Sequence, residues 1–530
     1  MLGKNEIREI LKSRFANDRH TKISEIPLPC DLKDTYKAAL RIKTAIEENQ
    51  RIAVVGDYDV DGIVSTVIMS DFFNQIGAEY VIKIPNRFTD GYGLNSEIIG
   101  ELEDVDLIIT VDNGTSATEA AEICAQKGID LIITDHHMPP PVLPRAYAII
   151  NPKQPDCTFP NIEICGAQVA WYLVGALKET LGVNYDMASS MDILIIAIIA
   201  DMMELRDMNR ALLRFGIKRL NSSNRACFKA IKEHYFKKHF EFDDISYTIA
   251  PLINCTGRMD DATMSYKFLC AKNIREANHY LETINSINNS RKEEEKNLYD
   301  EIVKSVDPSD NVIVVWGPQW HEGIIGIIAA RLKSRFARPA LVATDSGENG
   351  WIKASLRSVS AVPLHELLHT AARHLPTDTL RYGGHAAAAG LSVKREHYPA
   401  LIDAINRAFL DTYGATIPPE PVYIDGELPA ALLNLDWARY LEQLEPWGAA
   451  LPVPVFANPF EVLDCRLLGS AHTRLVLREM HSGNAYNASW FFHTADYRPG
   501  TRLRIAYELQ VNRFYGDERL SLLVQHAQPL

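Results

Sequence analysis

The 530-residue chain has no Cys-x-x-Cys pair: its eight cysteines, Cys30, Cys124, Cys157, Cys165, Cys227, Cys255, Cys270 and Cys465, are scattered. Such scatter argues against a zinc knuckle or a disulfide framework and fits a reducing cytoplasm. Long apolar runs are missing too. The strongest, Ile193 to Ala200, is eight residues between Asp192 and Asp201, a length that suits a buried element and not a membrane span. The N-terminus, Met1-Leu2-Gly3-Lys4-Asn5-Glu6, lacks an apolar signal core. Low-complexity tracts are absent, and an apolar share of 47% with 23% charged residues is ordinary for a globular protein, so disorder is not the dominant state.

Positive charge is in short supply. The net charge of −13 speaks against a polyanionic partner at first sight, because phosphate neutralisation is the main sequence-independent source of nucleic-acid affinity. Its distribution is uneven: from Glu461 onward there are eight Arg, no Lys and seven Asp plus Glu, a net of +1, which leaves −14 on residues 1–460. A difference of that size also suits a solvated surface.

The length implies two to four domains. The first 150 residues alternate short apolar runs (Ile52–Val55, Tyr80–Ile84, Leu107–Val111, Leu131–Thr134, Tyr147–Ile150) with helical patterns over Ile63–Ile76 and Ser116–Lys127, the signature of βαβ units and a parallel, doubly covered sheet. Residues 166–305 read as mostly helical and end in a polar connecting helix over 285–305. A second α/β pattern begins at Val312–Val315, continues through the helical Ile324–Phe336 and the strand-like Ala340–Ala343, and closes near Arg381–His385, with Gly383-Gly384 read as a phosphate-approach turn or a plain turn before a helix at Ala386–Ala389. After the Pro-containing segment Ile417–Pro421 the pattern changes to alternating strands at Arg474–Arg478, Arg502–Tyr507 and Leu520–Val524, with a turn at Gly516-Asp517, which predicts a small antiparallel barrel. The expected domains are therefore 1–284, a connecting helix 285–305, 306–415, and 422–530.

Three polar clusters directly follow three of the first strands: Gly56-Asp57-Tyr58-Asp59-Val60-Asp61-Gly62, Asp112-Asn113-Gly114 and Asp135-His136-His137. Ligands of open α/β sheets bind beyond the carboxyl ends of strands, so these clusters should converge. The first opens like an EF-hand loop, but Ile68 stands where the twelfth-position Glu is required and a strand precedes it. What survives is a loop crowding three carboxylates, which is costly unless divalent cations neutralise them. Asp112 could instead cap a helix, Asp201 could be a helix-boundary residue, and His136 and His137 on a loop can do two jobs. Several Asp with one imidazole form the donor set expected for Mn²⁺ or Mg²⁺, and paired ions of that kind make a phosphate ester the favoured substrate.

These residues resemble the DHH family of phosphoesterases, and within it the branch of single-strand-specific exonucleases. The four motifs of the family are similar to Gly56–Gly62, Val111–Gly114, Thr134–His137 and Ala200-Asp201. Further similar segments are Ile84-Pro85-Asn86-Arg87-Phe88, Asp90–Leu94, Ile149–Pro152 and Asn254–Arg258. The resemblance runs from near residue 25 to the C-terminus. It implies metal ligation by Asp59, Asp61, Asp112, His136 and Asp201, contact of His137 with the scissile phosphate, and support of the histidine pair by Asp135. Many small-substrate members carry His where this chain has Val55, a departure that favours the exonuclease branch and suggests a metal role for Asp57.

The second α/β region resembles the DHH-associated domain through Trp320–Gly323, Ser355–Ser358 and Gly383–His385, which implies that His321, Ser355, Arg357, Gly383, Gly384 and His385 bind substrate, joined by Asn254 and Arg258. This chain departs from the family at Gly166-Ala167-Gln168 and at Ala354-Ser355-Leu356-Arg357. The barrel resembles an oligonucleotide-binding (OB) fold, in which aromatics stack bases and Arg tracks the backbone. Candidates are Arg474, Arg478, Trp490, Phe491, Phe492, Arg504, Arg513 and Tyr515, with Arg513–Gly516 preferred as a hairpin tip. The expectation is a monomeric, cytoplasmic, two-metal 5′→3′ exonuclease that degrades single-stranded DNA to 5′-mononucleotides in repair and recombination, alongside a single-strand-binding protein and a helicase. Its rivals are a phosphodiesterase acting on short oligonucleotides or nucleotide bisphosphates, and a metal-free nucleic-acid-binding protein.

Overall fold

The computed structural model describes residues 4–347, 350–414, 416–417, 421–469, 472–513 and 517–530. It divides into two units, Phe15–Arg291 with Pro446–Pro452, and Met1–Arg14 with Lys292–Glu445 and Val453–Leu530.

The first unit is built on a parallel sheet in the order β2-β1-β3-β4-β5. Its strands are β1 (Ile52–Val55), β2 (Tyr80–Lys83), β3 (Leu107–Val111), β4 (Asp130–Thr134) and β5 (Ala148–Ile150). The run Ile-Ala-Val-Val of β1 has no polar alternation because both faces are covered. Ile52 and Val54 join one apolar cluster with Ile63, Val67 and Leu173, while Ala53 and Val55 join a second with Ile98, Ile108 and Ala121. The helix Val60–Ile76 leaves β1 through the acidic loop and ends at Gly77, whose φ of 71° supplies the left-handed C-terminal turn. Ile68, the residue that ruled out calcium, is fully buried in that helix. The apolar run after Asp192 is the buried helix Met191–Ala200.

The second unit holds two structures. One is a five-stranded sheet in the order β6-β7-β8-β10-β9, made of β6 (Ile313–Trp316), β7 (Ala340–Asp345), β8 (Trp351–Arg357), β9 (Leu380–Gly384) and β10 (Ala388–Lys394). The helix expected over Ala386–Ala389 is absent: Ala388 and Ala389 begin β10 and pair with β8, and Ala389 pairs with β9 as well. Alanine's helix propensity is worth only tenths of a kcal/mol per residue and yields to two flanking strands. The sheet is followed by the helix Tyr398–Tyr413, so the fold continues past the expected closure near His385.

The other structure is a closed barrel, β11-β12-β13-β15-β14, from β11 (Phe456–Leu468), β12 (His472–Glu479), β13 (Ala485–Trp490), β14 (Arg502–Asn512) and β15 (Arg519–Pro529). Its pairings are antiparallel except for β13 with β15, which run parallel. The helix Lys4–Ser13 contributes Ile7 and Leu11 to the barrel's apolar cluster, beside Leu428, Trp437 and Phe456. A single helix, Ile274–Ser305, carries the chain from one unit into the other; it starts before the expected connecting segment. No described helix is long and apolar enough to cross a membrane.

Candidate metal centre

Each acidic residue of the first loop is fixed in a different way. Asp59 is the N-cap of Val60–Ile76, and its Oδ1 accepts from the backbone N–H groups of Asp61 (2.9 Å) and Gly62 (3.1 Å). Asp61, buried, accepts from the N–H groups of Gly166 (2.6 Å) and Ala167 (2.8 Å), the start of the helix Gly166–Leu181. Helix N-termini favour an anion in this position. Asp57, also buried, accepts from the N–H of Tyr58 at 2.7 Å.

Asp112 follows β3 with a φ of 63°, a left-handed conformation that costs a non-glycine residue roughly 1–2 kcal/mol. It caps no helix, because the next one starts at Thr118 with Ala117 as its cap. Gly166 makes room for it: a Cβ there would lie 2.4 Å from Asp112 Oδ1. Asp201 does end a helix, as the C-cap of Met191–Ala200, and also reaches the cluster.

His136 joins the three loops. Its Nε2 lies 3.3 Å from Asp112 Oδ1, 3.4 Å from Asp201 Oδ2 and 3.6 Å from Asp61 Oδ2. Burial pulls its pKa down to about 4 against the pull of Asp61 and Asp135, so the imidazole is neutral at pH 7 and has a lone pair to offer. His137 is the opposite case. Its Nδ1 is 2.7 Å from Asp135 Oδ1, and although burial opposes the charge, this hydrogen bond and the Asp135 carboxylate raise it to about 9. Asp135 is held in turn by the N–H groups of Thr115 (2.9 Å), His136 (2.7 Å) and His137 (3.1 Å); burial would push its pKa up, but His137 and these donors bring it below the usual carboxylate range.

The remaining carboxylates are shifted the other way. Burial, followed by repulsion from the neighbouring aspartates, raises Asp57 and Asp112 well above the ordinary value and lifts Asp201 to about 8. Asp61 is raised by burial as well, which outweighs the hydrogen bonds from the Ala167 and Gly166 N–H groups. Asp112 Oδ1 and Asp201 Oδ2 are buried and accept no hydrogen bond from a described residue. Such oxygens are expensive unless a cation meets them. Three sets of ligand atoms converge: Asp57, Asp59 and Asp112; Asp61, His136 and Asp201; and Asp112, His136 and His137, with the atoms of each set within 4.8 Å of one another. The donor set, oxygen-rich with imidazole, fits Mn²⁺ or Mg²⁺.

A cleft opens beside Asp57, Asp59 and His137. Asn254 and Arg258, both expected from the sequence, line it from the helix Ala250–Met259, together with Tyr58, Arg87 and Tyr92. That helix can sit so close because Gly257 has no side chain; a Cβ would lie 1.9 Å from the Tyr58 carbonyl oxygen. Tyr92 meets both Tyr58 and His137 edge to face at 6.1 and 6.3 Å, and the Arg87 guanidinium lies 5.5 Å from the Tyr58 ring. Arg87 and Tyr92 were noted in the sequence only as parts of motifs; their role in the cleft depends on a fold that brings residues 58, 87, 92 and 258 together.

In the second unit, Ser355, Gly390 and Gly383 form one row across β8, β10 and β9. Arg357, two residues along the same face of β8, donates to Ser355 Oγ (3.1 Å) and to the Leu356 carbonyl (2.8 Å). Burial lowers its pKa. His321 caps the helix Glu322–Phe336, accepting from the Gly323 N–H at 3.0 Å, and Gly326 of that helix faces Ser355 and Arg357. Gly384 and His385 are exposed at the end of β9.

The barrel candidates separate into two groups. Arg513 is held in ion pairs with Glu442 (2.8 Å) and Glu518 (2.9 Å), so the hairpin-tip cation is already neutralised. Tyr515, and Gly516 of the expected turn, lie outside the described residues. Trp490 is 8% exposed and stacks on His493 with ring centroids 3.7 Å apart. Phe491 and Phe492 are the open aromatics, at 48% and 76% exposure, and His472 meets both edge to face.

A parallel sheet whose strand ends gather aspartates and a histidine pair defines a phosphoesterase of the DHH class: residues 51–199 match the DHH family, N-terminal domain, and 309–411 match the DHHA1 domain. Residues 424–526 match the RecJ OB domain. The chain is 32% identical over 519 residues to the single-stranded-DNA-specific exonuclease RecJ of Dickeya dadantii, covering 92% of this chain and 89% of that protein, and 31% identical over 525 residues to the Escherichia coli protein of the same name, covering 94% and 91%. A crystal structure of RecJ from Thermus thermophilus in complex with Mn²⁺ superposes with a TM-score of 0.81 at 26% identity, over 94% of this chain and 72% of that one. The chain belongs to the RecJ family.

Proposed function

We propose that this protein is a metal-dependent exonuclease that shortens single-stranded DNA from the 5′ end and releases 5′-mononucleotides. The observation that carries the reading is the largely buried cluster of Asp57, Asp59, Asp61, Asp112, His136 and Asp201, with two carboxylate oxygens that find no donor among the described residues. Relatives of this chain are named as single-stranded-DNA-specific exonucleases, and a related structure holds Mn²⁺.

Those six residues would hold two Mn²⁺ or Mg²⁺ ions, which when bound supply an activated water and neutralise charge on the phosphoryl oxygens. The protein's own groups then have separate tasks. His136, neutral at working pH, offers its Nε2 as a ligand. His137, protonated and fixed by Asp135, is placed to donate a hydrogen bond to the scissile phosphate, and its charge favours the anion that develops there. Asn254 and Arg258 hold the nucleotide in the cleft next to it. In the second unit, Ser355, Arg357, Gly383, Gly384, His385 and the His321-capped helix bind the DNA backbone. There Arg357 supplies a planar donor fork and the glycines let the strand come close. Phe491 and Phe492 stack bases on the barrel. A cytoplasmic monomer working in DNA repair, with a single-strand-binding protein and a helicase as neighbours, completes the reading, and eight free cysteines support the compartment.

The test offers purified protein with Mn²⁺ a 5′-labelled single strand, the matching duplex and a dinucleotide. The expected result is rapid release of labelled mononucleotide from the single strand only. Preference for the dinucleotide would move the assignment to a short-oligonucleotide phosphodiesterase, and binding without cleavage would move it to a metal-free binding protein.

A further inference from the structure

Beyond the ligands and the cleft, one cation stands at the metal centre without a task. Lys153 lies three residues past the loop end of β5, its side chain only 16% exposed. Its backbone is tied to the catalytic loop: Asn151 Oδ1 accepts from the Lys153 N–H at 2.8 Å, while Asn151 Nδ2 donates to the His137 carbonyl at 2.9 Å and to Thr115 Oγ1 at 3.1 Å. The nearest acid, Glu163, is 3.6 Å away, too far for a hydrogen bond, and its own side chain is 45% exposed. Glu163 sits three residues before the Gly166 and Ala167 N–H groups that grip Asp61. The lysine is therefore held between the His137 loop and the Asp61-binding helix start. Among the described residues its ammonium donates no hydrogen bond, so all three donors remain to be used.

The position of this charge is specific. Asn151 ties Lys153 to the loop that carries His136 and His137, whereas Arg87 and Arg258 line the cleft with Asp57, Asp59 and His137. A lysine next to a site for divalent cations works against metal binding, since like charges repel, and a weak pair with a half-exposed glutamate does not explain its burial. A polyanion entering the same site gives the charge a partner.

We propose that Lys153 is a substrate-binding residue that meets non-bridging phosphate oxygens of the DNA strand beside the His136–His137 loop, adding to the cations Arg87 and Arg258 of the cleft. This rests on the single-strand exonuclease reading above. Lysine serves as a mobile point charge here, able to follow a backbone phosphate as the strand advances, where the rigid fork of arginine would fix one geometry.

The experiment measures two quantities on Lys153→Met, Lys153→Arg and Glu163→Gln. Steady-state cleavage of a single strand with Mn²⁺ should show KM raised about tenfold in Lys153→Met with kcat within about twofold, the size of one lost charge-assisted contact. Lys153→Arg should recover most of the loss, and Glu163→Gln should leave KM unmoved. Without DNA, a Mn²⁺ titration followed by thermal shift should show tighter metal binding in Lys153→Met, by about threefold, because a repelling charge has gone. These opposite signs for DNA and metal are what a purely structural lysine would not produce. An unchanged KM in Lys153→Met, an equal rise in Glu163→Gln, or weaker Mn²⁺ binding overturns the assignment. Should Lys153→Met fail to fold, Lys153→Gln carries the same comparison. Wild-type protein inactive on single strands would overturn the exonuclease reading itself, whereas an active wild type with an indifferent Lys153 variant sinks the lysine alone.

Discussion

The two units use charged side chains in opposite ways. Around the DHH loops, Asp112 and Asp201 present buried oxygens that no donor among the described residues satisfies, while beside the barrel Arg439, Arg478 and Arg513 lie on the surface and pair with Glu518, Glu461 and Glu442. The first arrangement costs folding free energy and is balanced only by a ligand; the second is complete without one. Function is therefore easiest to locate where the fold is electrostatically unfinished. A matched surface ion pair, however conspicuous as an arginine in the sequence, says little about DNA.

The comparison can be broken most sharply at Asp61. Asp61→Ala should lower nuclease activity by about a thousandfold or more while circular dichroism shows the fold intact; retained Mn²⁺-dependent cleavage would mean that the cluster is not the reaction centre. The next effect is thermodynamic. Burial first, then Asp61 and Asp59, hold the Asp201 pKa at about 8, so metal-free folded protein keeps a proton that the unfolded chain releases near pH 4. Stability of the metal-free form therefore falls as pH rises from about 4 to about 8, and Mn²⁺, by displacing the proton, removes the penalty. Stabilisation by Mn²⁺ should grow by about 2 kcal/mol between pH 6 and 8, read as a widening difference in melting temperature; a difference independent of pH would show that Asp201 is ionised without metal.

On the barrel the effects are smaller. Phe492→Ala should weaken binding of long single strands by about 1–3 kcal/mol and leave cleavage of very short ones unchanged; equal effects on both would remove the barrel rim from strand capture. Arg513→Ala should cost no more than about 1 kcal/mol of stability and nothing in DNA affinity, because its charge is spent on Glu442 and Glu518. A large loss of affinity would restore the hairpin tip as a contact.

The strand-end loops were legible in the sequence because each consists of consecutive residues directly after an apolar run, and a parallel sheet aligns such ends without further information. Asp112 and Asp201 stayed ambiguous there. Capping residues and metal ligands are the same residue types, and only the distance to His136 separates the two roles. The grip of Gly166 and Ala167 on Asp61 was hidden for a related reason: backbone N–H groups have no letter in the sequence. The alanine run at Ala386–Ala389 has helical composition, but pairing of β10 with β8 and β9 outweighs local preference. Tyr92 and Arg87 had motif neighbours but no partner until the cleft was formed.

The amphipathic helix Lys4–Ser13 has one more consequence, for the order of assembly. Ile7 and Leu11 are synthesised more than 400 residues before the barrel strands whose apolar cluster they share. At about 5–20 residues per second that helix waits on the order of tens of seconds with its apolar face open, and the DHH unit, which takes in Pro446–Pro452, is itself completed only shortly before the barrel strands are made. Shielding of that apolar face therefore matters throughout synthesis, until the barrel strands that complete its core have been made.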